Sequence, residues 1–247
     1  MISIGKKKIL AIITARKGSK GVKNKNLKKI NKKPLIFYTF DFIKKNKFFD
    51  NILLTTNSEK LINYSKKFSF IECPFKRPQH LSNDQSPQED AILHALKWFE
   101  KKYYSPDFIC ILEPTTPFRS RSSFIKAFQI LKNNRIDGVF SVTKNRHHPS
   151  LIKKLRNDKL FKNWDLFIKN RQEYPDHFSL TSSTVIIKTS YFKKYKTYLS
   201  YKSKAIVVNN FEGIMIDDKL DFFLVKKLIE KNIFSLNHLN NYIDNIS

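Results

Sequence analysis

The chain has 247 residues, 41% of them hydrophobic, and a formal net charge of +26. That is enough apolar material for one domain, or one domain with a small appendage, to fold without disulfide staples. Cys73 and Cys110 have no metal-ligand spacing around them, and the 47 Lys and Arg residues run along the whole length; this disfavours a nucleic-acid footprint, while small anionic substrates are still drawn in.

Ile9 to Ala15 is an apolar run without polar alternation, as expected of a strand buried on both faces of a sheet. It empties into a basic loop carrying Arg16, Lys17, Gly18, Ser19, Lys20, Gly21, Lys23, Lys25 and Asn26. Glycines let backbone N–H groups approach a ligand, and Arg and Lys supply charge for phosphate oxygens, so such a loop suits a polyphosphate. Neither GxxxxGK[ST] nor GxGxxG is present, and a surface turn also fits GSKG taken alone. Pro34 can start a helix with the stripe Leu35, Ile36, Thr39, Phe40 and Ile43. Asn51 to Thr56 reads as a strand, Ser58 as the cap of a helix carrying Leu61, Ile62, Ser65 and Phe68, and Ser69 to Cys73 as a third short strand. This is the rhythm of a sheet covered on both sides.

Pro74 to Ser86 is a polar loop containing RPQHLSND. Arg77 in it is a candidate for reading a base or a phosphate, although a solvated arginine fits equally. Ser86, Pro87 and Glu89 read as a capping box for a helix with Ala91, Ile92, Ala95, Leu96 and Phe99 on one side. Asp107 to Leu112 is the next buried strand, ending in Glu113, Pro114, Thr115, Thr116, Pro117, Phe118 and Arg119, a rigid turn at the sheet edge where open α/β proteins bind ligands. A helix over about Ser122 to Asn133 and a strand over Asp137 to Val142 follow. His147 and His148, adjacent on a loop, point in different directions and fit structural or substrate contacts better than a metal.

Leu151 to Tyr174 is polar and irregular, with isolated Trp164, Leu166 and Phe167, which suggests an arm that finds its apolar partners on another subunit. Order returns at Thr184 to Ile187 and Ala205 to Val208, and Ile214 to Asp217 reads as a strand entering a helix with the stripe Leu220, Phe223, Leu224, Lys227 and Leu228. Asp217 at that junction and Asp221 one turn on can hold Mg²⁺; a helix cap and a dipole partner explain them as well. Met1 to Lys8 is too short for a leader ahead of the first core strand and no apolar stretch approaches a membrane span, so a cytoplasmic, soluble protein is expected.

ARKGSKGVKNKNL, then RPQHLSND, HALKW, EPTTPFR, HHP, RQEYP and IDDKLD in that order, resembles the acylneuraminate cytidylyltransferase family, the synthetases of CMP-sialic acid and related CMP-nonulosonic acids. The resemblance covers nearly the whole chain. It implies a Rossmann-like, three-layer α/β nucleotidyltransferase fold over residues 1–247 with a mostly parallel sheet and a protruding dimerisation and acceptor-binding arm at 151–183. It further implies a homodimer and Mg²⁺-dependent transfer of CMP from CTP to the anomeric hydroxyl of a sialic-acid-like α-keto acid sugar, for surface glycan synthesis. Carried over, Arg16, Ser19, Lys20, Lys25 and Asn26 would hold the CTP phosphates and ribose, and Arg77 and Ser82 the cytidine. Glu113, Arg171 and Gln172 would meet the acceptor, and Asp217 with Asp221 the metal; Arg16, Lys20, Lys25 and Asp217 would carry the catalysis. Such chemistry needs positioning and charge neutralisation more than a covalent nucleophile.

Three departures bear on this expectation. Met215 stands where the family has the first Asp of Asp-Ile-Asp, Glu113 where it has a glutamine, and Ser182, Ser183, Thr184, Val185, Ile186 where it has Asn-Gly-Ala-hydrophobic-Tyr. The nucleotide side is thus kept better than the acceptor side. The alternatives are a CTP-binding paralogue with impaired turnover, a cytidylyltransferase with a different acceptor, and a basic nucleic-acid-binding protein.

Overall fold

The computed structural model describes residue 4 and residues 6–145, 149–157, 159–162 and 175–234. In chain order the strands and helices are β1 (Ile9–Thr14), β2 (Lys29–Ile30), β3 (Lys33–Pro34), α1 (Leu35–Asn46), β4 (Asn51–Thr55), α2 (Glu59–Ser65), α3 (Gln88–Lys102) and β5 (Phe108–Leu112). There follow α4 (Arg121–Leu131), β6 (Gly138–Lys144), β7 (Lys153–Arg156), β8 (Lys159–Lys162), β9 (Phe178–Lys188), α5 (Thr189–Tyr195), β10 (Ser203–Val207) and α6 (Lys219–Glu230).

The main sheet runs β10-β6-β9-β5-β1-β4, with β9 antiparallel to both neighbours and every other pairing parallel. The strict period of two along β1 divides its side chains between two cores. Ile9, Ala11 and Ile13 pack with Ile36 and Phe40 of α1 and Phe124 and Phe128 of α4. Leu10 and Ile12 pack on the other face with Ile92, Leu96 and Phe99 of α3 and Phe192 of α5. A third core joins α6 to Val22, Ile30, Leu35 and Phe118. This is the expected three-layer α/β arrangement, and it explains the missing polar alternation in β1.

The structure corrects several local expectations. Residues 69–73 form no strand; of them Glu72 alone bridges, to Leu53, and Lys76 just beyond bridges to Thr56 along the same sheet edge. Ile214 to Asp217 form no strand but the irregular end of the turn before α6, tied to the loop after β5 by Ile216 N–H donating to Thr115 O at 2.9 Å. α3 has no side-chain cap, because Ser86 Oγ donates instead to His80 O at 2.5 Å. α6 buries Phe222, Val225, Leu228 and Ile229 and leaves Leu220, Phe223 and Leu224 exposed, so its inward face is rotated from the expected stripe. Apolar residues stand on two sides of that helix, and the buried side is the one packed with Val22, Ile30, Leu35 and Phe118. Part of the irregular stretch after Leu151 is the β7–β8 hairpin, carrying exposed Leu155 and Leu160. The short strand at Thr184 to Ile187 is the end of the much longer β9, and α5 after it was not anticipated.

Between β6 and β9 the register shifts after Phe140, so Phe140 pairs with Val185 but Ser141 with Thr181. Ser182 to Thr184 bulge out, pinned by Ser141 Oγ, which donates to Thr184 O at 3.2 Å and accepts from Thr184 N–H at 2.9 Å. The neck of the excursion between the two strands is closed by Asn145 N–H donating to His177 O at 2.8 Å and by Ser179 Oγ donating to Asn145 Oδ1 at 2.6 Å. Trp164, Leu166, Phe167, His147 and His148 lie outside the described residues.

Candidate active site

β1, β4 and β5 are parallel and release their loops at one edge of the sheet, where the strand order places ligands in open α/β folds. A cavity of about 430 Å³ opens there, lined by Arg16, Ser19, Lys20, Lys25, Asn26 and Arg77 together with Asp84, Gln88, Glu113 and Asp217.

The loop after β1 is shaped by backbone requirements. Ala15 N–H donates to Thr55 O at 3.1 Å and Lys17 N–H to Asn57 Oδ1 at 2.7 Å, anchoring its start. Gly18 takes a φ of +88°, a left-handed conformation that suits glycine. Gly21 passes so close to the turn before α6 that a Cβ there would lie 1.9 Å from Asp217 O. Lys25 and Asn26 are buried in the short turn that ends the loop. Lys25 Nζ donates to Ile216 O, and burial pushes the Lys25 ammonium below its ordinary value, opposed by the charge of Asp217. Asn26 Nδ2 donates to Arg16 O at 3.2 Å, while its buried Oδ1 has no partner. An orphaned acceptor in a cavity wall calls for a donor from a ligand.

Arg77 is 5% exposed and seated beneath the cavity at the end of β4. Its Nε donates to Thr55 Oγ1 at 3.1 Å and its Nη2 to Thr55 O at 2.5 Å. Burial, helped by the charge of Arg16, brings its pKa down to about 10. Ser82 does not line the cavity; its hydroxyl donates to Pro78 O at 3.1 Å, closing the turn that presents Asn83 and Asp84. Asp84 pairs with Arg16 Nη1 at 2.6 Å and with Lys20 Nζ at 3.0 Å.

Of the two carboxylates expected at a metal, only Asp217 faces the cavity. Asp221 Oδ2 accepts from the N–H groups of Asp217 at 2.9 Å and Asp218 at 3.0 Å, while Asp218 Oδ1 accepts from Asp221 N–H at 2.9 Å. Asp218 is therefore the cap of α6 and Asp221 the reciprocal member of its capping box.

Glu113 stands between this cavity and a second one of about 340 Å³, whose walls include Ile111, Phe140, Leu180, Val185, Tyr198 and Met215. Neutral donors hold its carboxylate: Gln88 Nε2 at 2.8 Å on Oε1 and Thr115 Oγ1 at 3.4 Å on Oε2. Gln88 also donates to Thr14 Oγ1 at 2.7 Å and accepts from Tyr198 Oη at 3.3 Å, and burial raises the Tyr198 phenol far above its usual range. Arg119 is buried behind the turn, donating to Glu113 O at 2.5 Å, Thr116 Oγ1 at 2.8 Å and Thr39 Oγ1 at 3.2 Å, and burial lowers its pKa to about 10. The bulge on β9 turns Ser182 into the second cavity, its hydroxyl 3.8 Å from Met215 Sδ.

Arg171 and Gln172 lie outside the described residues. Sequence reasoning missed Gln88, because a glutamine in the first turn of a helix looks like any exposed helix former. Chemically the first cavity offers flexible and fixed cations, a buried amide acceptor and one free carboxylate to a polyanion, next to a largely apolar chamber that begins at Glu113.

The cytidylyltransferase family profile matches residues 10–235. The chain is 31% identical over 232 residues to the post-translational flagellin modification protein B of Campylobacter coli, covering 91% of this chain and 97% of that one. It is 29% identical to the CMP-N,N'-diacetyllegionaminic acid synthase of Campylobacter jejuni, over 91% of this chain and 97% of the relative. It is also 27% identical to the N-acylneuraminate cytidylyltransferase of Escherichia coli, over 91% of this chain and 52% of that longer protein. Among solved structures, a CMP:2-keto-3-deoxy-manno-octonic acid synthetase complexed with CTP superposes with a TM-score of 0.65 at 12% identity, covering 91% of this chain and 99% of that one, a likeness of fold. With a polyphosphate-sized cavity at the sheet edge and a match over nearly its full length, the chain belongs to the cytidylyltransferase family.

Proposed function

We propose that this cytidylyltransferase transfers CMP from CTP to the anomeric hydroxyl of a sialic-acid-like nonulosonic acid. The acceptor oxygen attacks the α-phosphorus, the bond from that phosphorus to the bridging oxygen breaks, pyrophosphate leaves, and the hydroxyl proton is lost to solvent or base. The observation that carries the reading is the pairing of the two cavities across Glu113, one polar and basic, the other largely apolar. In the first, Arg16, Ser19, Lys20, Lys25 and Asn26 face the triphosphate and ribose, with Arg77 supporting the cytidine end. In the second, Ile111, Leu180, Val185 and Met215 suit the methyl groups of acylamino substituents, and Glu113 accepts from an N–H or hydroxyl. This favours an N-acylated acceptor of the kind named for the Campylobacter jejuni relative.

A divalent cation fits the donor set, with Asp217 as the protein carboxylate, since Mg²⁺ takes one or two carboxylates plus phosphate oxygens. When bound it would neutralise charge that develops on the leaving pyrophosphate. Exposed Leu155, Leu160 and Phe178 on the β7–β8 hairpin and the start of β9 support a homodimer joined through the arm, which light scattering of the purified protein tests directly. The enzymatic test is pyrophosphate release from CTP and Mg²⁺ with N,N'-diacetyllegionaminic, pseudaminic and N-acetylneuraminic acids, beside an Asp217→Ala variant. Release with one acceptor, lost in the variant, supports the proposal. CTP binding without release for every acceptor points to impaired turnover, with Met215 and Glu113 as its origin.

A further inference from the structure

Asp84 meets two charges that come from a different loop. Its Oδ1 accepts from Arg16 Nη1 at 2.6 Å and its Oδ2 from Lys20 Nζ at 3.0 Å. Both cations, and Asp84 itself, line the polyphosphate-sized cavity. The bridge is charged at neutral pH, because the hydrogen bonds from Lys20 and Arg16 hold the Asp84 carboxyl below the usual carboxylate range. The neighbouring basic groups are committed differently: Lys25 donates to Ile216 O and Arg77 to Thr55, both backbone-linked parts of the frame. Arg16 and Lys20 are thus satisfied by a side chain that can swing away, and Lys20 is 77% exposed.

We infer that Asp84 is a resident counter-anion of the phosphate subsite. It holds Arg16 and Lys20 in place while the site is free, and it is displaced when a polyphosphate arrives. A carboxylate bridging two cations occupies the same donors that a phosphate seeks. Because both pairs are solvent-accessible, they are weak enough to be exchanged for a phosphate, at a modest cost to its affinity. Asp84 therefore lowers the affinity of ligands that carry phosphates at this position and leaves that of ligands without them unchanged. The inference rests on the reading of this cavity as the nucleotide site.

The test compares wild type, Asp84→Asn and Glu113→Gln for binding of CTP, inorganic pyrophosphate and cytidine by calorimetry, with Mg²⁺ and without acceptor, at low and high salt. Asparagine keeps the shape and can still accept hydrogen bonds, so the loop keeps its geometry. The expected result is that Asp84→Asn binds CTP and pyrophosphate about five- to tenfold more tightly, from the two pairs that no longer compete. Cytidine affinity stays unchanged, and the gain shrinks at high salt. Weaker CTP binding in Asp84→Asn would make Asp84 a ligand or a support for the bound state and overturn the inference. Equal tightening in Glu113→Gln would reduce the effect to general charge and overturn it too. If wild type binds neither CTP nor pyrophosphate, the assignment of the nucleotide site fails and this inference with it; binding in wild type that Asp84→Asn leaves untightened removes only the inference.

Discussion

Replacing Gly21 with alanine tests whether the basic loop and the acidic turn before α6 form one machine. The added Cβ would lie 1.9 Å from Asp217 O, 3.0 Å from Asp217 C and 3.2 Å from Asp218 Cα, all backbone atoms that no rotamer change can move. An ordinary carbon-to-oxygen contact needs about 3.3 Å, so the two segments must part by about 1.4 Å. That displacement separates Lys25 Nζ from Ile216 O and moves Asp217 away from the loop cations. Forced separation of packed segments costs about 1–3 kcal/mol of stability, which is roughly 2–12 °C in melting temperature for a chain of this size. A misplacement of about 1 Å in a site that works by positioning lowers kcat/KM on the order of 100-fold, or about 2.7 kcal/mol of transition-state stabilisation. Gly18→Ala is the control: it has nothing within 4 Å of the added Cβ but a φ of +88°. It pays only the left-handed strain of about 1–2 kcal/mol and keeps the loop against the turn. The assays are thermal melting and pyrophosphate release with varied CTP. Wild-type kcat/KM in Gly21→Ala, or an equal loss in both variants, would refute the reasoning.

Two further outcomes follow from the same geometry. Asp221→Ala removes the acceptor of the Asp217 and Asp218 N–H groups, the second of them half of the capping box, and lowers stability by about 1–2 kcal/mol, while the Mg²⁺ concentration for half-maximal activity changes little; Asp217→Ala melts close to wild type and loses pyrophosphate release across the whole Mg²⁺ titration. The Lys25 ammonium lies below its ordinary value because of burial, so CTP affinity is full below that depressed pKa and declines as pH rises through it, before the ordinary lysine value of 10.5 is reached. Lys25→Arg keeps its charge through the same range, and binding titrations at stepped pH should show its alkaline decline displaced upward or absent.

The sequence reveals what packing demands along a whole element, and hides what depends on a single contact. β1 and α3 are legible because both of their faces, or one full face, must be apolar: Leu10 and Ile12 serve one core, Ala11 and Ile13 the other, and Ala91 to Phe99 keep helical spacing against the sheet. Only the inner end of β9 is legible, since Phe178 to Leu180 are exposed and the serines of the bulge carry no strand pattern. The phase of α6 is hidden because Leu220, Phe223 and Leu224 are as apolar as the residues that the fold buries. The basic loop, Arg77, Glu113 and Asp217 are legible from the order of motifs, and the structure gathers them in one cavity. Asp221 is ambiguous in principle, because a carboxylate in the first turn of a helix serves a cap or a metal equally well in sequence. Asp84 and Gln88 gain their meaning only when loops distant in sequence are brought face to face.

The closed neck at Asn145 and His177 bears on how such an enzyme diversifies. With its ends tied together on the sheet, the excursion between β6 and β9 is a cassette: doubling its length changes the cost of closing it by only about 0.6 kcal/mol. Insertions, deletions and wholesale sequence drift there leave the strands that carry the nucleotide pocket in register. Such a layout lets selection vary the excursion freely while the pocket at the sheet edge is inherited unchanged.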